Sequence, residues 1–260
     1  MSESLHYEQR GAAGSQDWVV LLHPTPVDHC FWLPAAASLE DSYRVLLPDL
    51  PGHGLSALAG EAVSIGSMAV AVLALLDRQG IETAAFCGCS IGGYLLYELW
   101  RQAPERVRAM AFVSAKPHAD SEEGRRVRAQ TIADLEAHGT REFFGRMLQL
   151  VAEPARRQDS QIVERMRVMM ERMSPEAAIA IQRALAARPD SRPTASTISV
   201  PTAVLAGALD TICPPAELRE LADLVPQSTY FLLQEMGHYL PYEQPGSVGA
   251  LLRRFLDDHL

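Results

Sequence analysis

Residues 84–100 read AAFCGCSIGGYLLYELW, and the fold turns on how that stretch divides. Ala84 to Cys89 form a short apolar run, of the kind that makes a strand buried on both faces. From Ile91 onward apolar residues recur at helical spacing. Ser90 stands at the join, with Gly88, Gly92 and Gly93 crowding it from both sides. A polar residue between glycines, where a strand becomes a helix, marks a turn with little room for side chains. It leaves the serine hydroxyl at the carboxyl end of the strand, beside a helix N-terminus.

Working outward, short apolar runs alternate with helical stretches. DWVVLLH (17–23), YRVLLPDL (43–50), VRAMAFVSA (107–115), TAVLAGALD (202–210) and STYFLLQ (228–234) read as strands. IGSMAVAVLALLDRQG (65–80) reads as a helix between Ser64 and Gly80, and SVGALLRRFLDDHL (247–260) as a closing amphipathic helix. The alternation predicts an α/β fold, a mostly parallel doubly wound sheet with helices on both faces. No strand pattern falls between residues 115 and 202; four helical patterns do, at 125–139, 140–153, 160–173 and 174–188. Breaks are expected at Gly124, Gly139, Pro154, Pro175, Pro189 and Pro193. Residues 1–115 and 197–260 thus form the expected core, and 116–196 an inserted helical unit. Charge divides the same way: 116–196 hold 14 basic and 12 acidic side chains, the remainder 9 and 20.

A net charge of −9 argues against nucleic acid as a partner, because phosphate binding needs a basic footprint. No apolar run reaches the roughly 18–20 residues of a membrane helix. MSESLHYEQR lacks the basic and apolar regions of a signal peptide, so a cytoplasmic location is expected. A monomer or homodimer is expected as well. Cys30, Cys87, Cys89 and Cys213 are too dispersed for a disulfide scaffold or a zinc ribbon and read as small buried residues. With no P-loop, dinucleotide fingerprint or metal motif, neither cofactor nor metal is expected.

A serine nucleophile needs a base within hydrogen-bond reach and an acid to orient that base. Of eight histidines, His6 and His259 lie near the chain ends, His118 and His138 in the helical insertion, and His53 among turn glycines. His238, in EMGHYLPYEQP, follows the last strand. Parallel strands share a carboxyl edge, so His238 can meet Ser90 there, and Asp210 reaches that edge from the end of TAVLAGALD. Asp210 is also the residue type that caps a helix, and PPAELRELADLV follows it. The candidate catalytic set is Ser90, Asp210 and His238, in that chain order.

On these residues the chain resembles the α/β-hydrolase fold superfamily, over essentially its whole length. HPTP (23–26), DLPGHGLS (49–56), GCSIGG (88–93), GALDTICPP (207–215) and GHYLPYEQP (237–245) carry the resemblance. It implies that 116–196 is a helical cap over the active site, and that an acyl group passes to water through a Ser90 ester. Related dehalogenases and epoxide hydrolases carry an aspartate where this chain has Ser90. Two backbone N–H groups should hold the oxyanion. Ile91 supplies one; Thr25 takes the family position for the other. Related sequences commonly have His-Gly-x-x where this chain has His23-Pro24-Thr25-Pro26, and the two prolines flanking Thr25 can donate nothing. Whether the Thr25 hydroxyl also takes part stays open.

Trp32, Cys89 and Met236 adjoin these elements and are expected to line a pocket with Phe143 and Met147 of the cap. The apolar stripe of the cap, Ile162 to Met173, reads first as packing of the cap onto the core, the usual role of such a stripe. Asp28 and His29 read as polar substrate contacts or as surface residues. The expected substrate is a small, apolar-leaning carbonyl compound such as an ester or lactone. The same residues could also serve a lyase, a cyclase, a C–C bond-cleaving enzyme or a ligand receptor.

Overall fold

The computed structural model describes residues 4–58, 63–151 and 160–260. Seven strands, β1 (Tyr7–Gly11), β2 (Trp18–Leu22), β3 (Arg44–Pro48), β4 (Ala84–Cys89), β5 (Val107–Val113), β6 (Thr202–Gly207) and β7 (Ser228–Leu233), form one sheet in the order β1-β3-β2-β4-β5-β6-β7. Only β1 runs antiparallel, pairing Tyr7 with Pro48 and Gly11 with Arg44. Every residue of β2, β4 and β6 is buried, because helices cover both faces of the parallel part.

The sequence pattern missed β1. Its residues, YEQRG, are polar and largely exposed. Such composition suits an edge strand, where charge discourages pairing with another chain, and it hides the strand from any search for apolar runs.

Around the sheet lie α1 (Leu33–Ala36), α2 (Ile65–Arg78) and α3 (Ile91–Gln102). Ser64 opens α2 with a reciprocal cap: its Oγ accepts from Ser67 N at 3.0 Å, and Ser64 N donates to Ser67 Oγ at 2.9 Å. Between β5 and β6 run α4 (Glu122–His138), α5 (Arg141–Val151), α6 (Ser160–Met170), α7 (Pro175–Ala187) and α8 (Arg192–Ala195). Ser191 N donates to Pro117 O at 2.8 Å, so the two ends of this helical segment meet where it leaves the sheet. Gly124, expected as a break, instead lies within the first turn of α4. Ser121 caps that helix from outside and Gly124 N donates to its Oγ. Pro154 falls outside the described residues. Finally α9 (Pro215–Leu224), α10 (Leu240–Glu243) and α11 (Pro245–Asp257) complete the chain. Among the described residues no helix is long and apolar enough to cross a membrane.

The strand order places the site. From β2 the chain goes to β3 on one side, while β4 lies on the other. Loops leaving the carboxyl ends of β2 and β4 therefore diverge and open a crevice, the usual ligand position in such sheets. The β2 loop carries Thr25, and the β4 turn carries Ser90.

Candidate active site

Ser90 occupies a strained backbone conformation, φ 52° and ψ −113°, between the last residue of β4 and the first of α3. Such a conformation costs on the order of 1–3 kcal/mol in a non-glycine residue and persists only when its surroundings enforce it. They do here. A Cβ on Gly88 would lie 2.3 Å from Gly92 O, one on Gly92 2.2 Å from Leu22 O, and one on Gly93 2.3 Å from the Ala115 Cβ. Ser90 N donates to Val113 O at 2.9 Å, anchoring the turn to β5. The serine itself stays half-buried.

Asp210 and His238 meet as the strand order requires. His238 Nδ1 donates to Asp210 Oδ2 at 2.8 Å, and both side chains are almost fully buried. Asp210 Oδ1 accepts from Ile212 N and Cys213 N, each at 2.9 Å. Asp210 is thus no cap for α9, whose N-cap position is Pro214. Burial alone would raise the pKa of this carboxyl; the imidazole and the two amide protons more than offset it and hold the group ionised, below its ordinary range. An ionised Asp210 can only accept, so Nδ1 carries a proton and Nε2 faces away from the carboxylate.

A residue that sequence reasoning missed braces this loop. Buried Glu243 accepts from Gly237 N at 2.7 Å and from Tyr239 N at 2.9 Å, clamping the backbone on either side of His238. A lone acid in the apolar stretch YLPYEQP was its available signal.

Neighbouring contacts draw the loops together. Cys89 Sγ lies 3.9 Å from His238 O, and Tyr239 Oη donates to Thr25 O at 2.8 Å. Ser90, Thr25 and His238 are thereby flanked by residues that touch one another's loops.

The Thr25–Pro26 peptide is cis. His53 Nδ1 lies 3.1 Å from Pro51 O, and a carbonyl only accepts, so Nδ1 carries the proton. Burial, with His23 alongside, lowers the His53 pKa to about 3, so the ring is neutral. Thr25 Oγ1 therefore donates its proton to His53 Nε2, at 3.0 Å. His23 is fixed likewise: its Nδ1 donates to Pro24 O and its Nε2 accepts from Leu50 N, both at 2.9 Å, and burial lowers its pKa. With the hydroxyl proton committed, the backbone N–H of Thr25 is the donor left. Among the described residues neither Thr25 N nor Ile91 N donates a hydrogen bond within the protein.

Of the expected pocket residues, Trp32, Cys89, Phe143 and Met236 are buried and Met147 is half-buried. None lines the cleft of about 360 Å³ between α6 and α1, whose walls include Cys30, Leu33, Arg165, Met169 and Tyr242. Asp28 and His29 are not surface residues: both are buried, Asp28 bound by Arg172 Nη1 at 2.6 Å and His29 by Asp49. Nor does His6 lie loose at the chain end, since its Nδ1 donates to Asp49 Oδ2 at 3.0 Å.

Three clusters present metal-ligating atoms within reach of one another: His6–His29–Asp49, Asp28–His29–Cys30 and Asp210–Cys213–His238. Their carboxylates and imidazoles already bond to one another or to backbone amides. Burial pushes the Cys213 thiol up to about 12, so it supplies no thiolate.

Residues 17–245 match the model of the alpha/beta hydrolase fold family, and the chain belongs to that family. It is 27% identical over 245 residues to a pimeloyl-[acyl-carrier protein] methyl ester esterase of Aliivibrio salmonicida, covering 92% of this chain and 90% of that protein. It is 30% identical over 235 residues to 3-oxoadipate enol-lactonase 2 of Acinetobacter baylyi, covering 86% and 84%. The solved structure of a thermophilic esterase from Thermogutta terrifontis superposes with a TM-score of 0.93 at 28% identity, over 98% of this chain and 94% of the other. These three relatives are ester and lactone hydrolases by name, and the chain is a hydrolase of their kind.

Proposed function

We propose that this hydrolase cleaves a small ester or lactone through an acyl-enzyme on Ser90. The observation that carries the reading is the buried 2.8 Å Asp210–His238 pair on the sheet edge where the strained turn presents Ser90. In this mechanism Ser90 Oγ attacks the carbonyl carbon while its proton passes to His238 Nε2. Asp210, ionised, stabilises the imidazolium that forms. The N–H groups of Thr25 and Ile91 hold the oxyanion. His238 then protonates the departing oxygen, an alcohol for an ester or the opened ring for a lactone. Water, activated by the same imidazole, releases the acid.

Helices α4–α8, within residues 116–196, act as the cap over this site, with residues 1–115 and 197–260 as the catalytic core. Cap and core are joined beside the oxyanion loop by the Arg172–Asp28 bridge. The relatives' ester and lactone substrates support the substrate class.

The test is intact mass after exposure to a small fluorophosphonate, wild type beside Ser90→Ala. One adduct on wild type, absent from the variant, is expected, followed by turnover on a panel of esters and lactones. If folded wild type takes no adduct even from the smallest phosphonate, the acyl-enzyme is wrong.

A further inference from the structure

A second buried carboxylate–imidazole pair, outside the proposed catalytic set, ends on a sulfur. Asp49 Oδ1 accepts from His29 Nδ1 and from His29 N, each at 2.8 Å; its Oδ2 accepts from Leu55 N at 2.9 Å and from His6 Nδ1 at 3.0 Å. On the far side of the ring, His29 Nε2 lies 3.4 Å from Glu8 Oε2 and 3.5 Å from Cys30 Sγ. A bare lone pair on Nε2 would be repelled by the Glu8 carboxylate. With an acid at each nitrogen, the ring holds both protons. Burial opposes that charge, but the bond to Asp49 more than offsets it and raises the His29 pKa to about 10. Arg172, bound to Asp28, lines the same cleft as Cys30.

Cys30 also differs from the other cysteines in access. Cys87, Cys89 and Cys213 are buried, whereas Cys30 is partly exposed and lines the 360 Å³ cleft. The walls beside it, Leu33, Pro34, Val168, Met169 and the Tyr242 ring, are mostly apolar. Reactive cysteines share this setting, a partly exposed sulfur beside a cation.

We propose that Cys30 is a reversible thiol–disulfide modification site, its sulfur held beside the His29 imidazolium and open to small disulfides through the cleft that Arg172 also lines. Cys30 Sγ attacks one sulfur of the disulfide, and a new S–S bond forms as the old one breaks. The departing sulfur leaves with the electron pair as a thiolate, and the proton that Cys30 gives up passes to that sulfur or to water. The disulfide is the only oxidant required. The transferred group fills the cleft between α6 and α1, against the Arg172–Asp28 bridge.

The experiment treats the native full-length protein at mildly acidic pH with 5,5′-dithiobis(2-nitrobenzoic acid), reading coloured thiolate release and intact mass. One label is expected, mapped to Cys30 by peptide mass and absent from Cys30→Ser. It should attach at least about tenfold faster than to free glutathione under the same conditions. His29→Gln should lower the rate about tenfold. Glu8→Gln, at a half-exposed position on the edge strand, should lower it less, and it carries the test if His29→Gln does not fold. No label on the native protein, or a rate no greater than that of glutathione, overturns the proposal. A fast rate unchanged in every folded variant overturns the part assigned to His29.

Discussion

Two histidines in this molecule each rest on a buried carboxylate at 2.8 Å, His238 on Asp210 and His29 on Asp49. What differs is the other end of the ring. Among the described residues His238 Nε2 makes no hydrogen bond within the protein, and it belongs to the loop beside Ser90. His29 Nε2 instead faces Glu8 and Cys30. Asp210 spends its second oxygen on two amides of its own loop, whereas Asp49 ties together residues 6, 29 and 55 from separate parts of the chain. An acid–imidazole pair by itself does not define a base. An imidazole between two acids is a fixed cation that joins segments, while one with a free nitrogen can move a proton.

The comparison breaks most sharply if the two carboxylates are neutralised one at a time. Asp210→Asn should lower kcat by a factor on the order of 10⁴, because the imidazole loses the partner that fixes its tautomer, with folding largely kept. Steady-state kinetics on the best ester of the panel measures it. Asp49→Asn should act mainly on stability. It leaves the His29 charge uncompensated and loosens the Leu55 turn, at a cost of about 3–5 kcal/mol in denaturant unfolding. Equal losses of turnover in the two folded variants would erase the distinction.

Stability against pH sharpens it further. The His29 pKa is raised to about 10, above its unfolded value of roughly 6.5. Its contribution is therefore fully present below about pH 6.5 and is lost as pH rises toward 10. Asp49 has the opposite sign. Burial opposes its charge, but the His29 bond and neighbouring donors depress its pKa, so its contribution is present above about pH 4 and lost in stronger acid. The thermal midpoint of wild type should fall from about pH 7 to pH 10, and in His29→Gln this alkaline decline should be visibly shallower. Identical slopes would show that His29 is not the clamp described.

The smallest effect is expected at Thr25. Its hydroxyl proton is committed to His53, so Thr25→Val should change kcat by no more than about threefold, while stability drops by about 1–3 kcal/mol for the orphaned imidazole. A loss of 10²–10³ in kcat would instead assign the hydroxyl to the oxyanion.

Much of this architecture was legible before any coordinates. AAFCGC coincides with β4 and IGGYLLYELWRQ with α3, because a strand buried on both faces leaves a continuous apolar run and a helix leaves a 3.6-residue period. Gly88, Gly92 and Gly93 announced the turn, since a Cβ at any of them would overlap its neighbours. Ser90, Asp210 and His238 could be named because parallel strands place their carboxyl ends on one edge, whatever lies between them in the chain. β1 was illegible, because an exposed edge strand needs no apolar pattern.

The sequence by itself determined the succession of the six parallel strands and the main helices between them, the glycine turn and the residues delivered to the sheet edge. These follow from local periodicity and from one topological rule. Only the tertiary structure decided that Glu243 braces the His238 loop, that the Thr25 proton belongs to His53, and that Asp49 gathers His6 and His29 while Cys30 opens onto a cleft. Which donor meets which acceptor depends on ångström-scale packing between segments far apart in the chain, and no local pattern of residues encodes those distances.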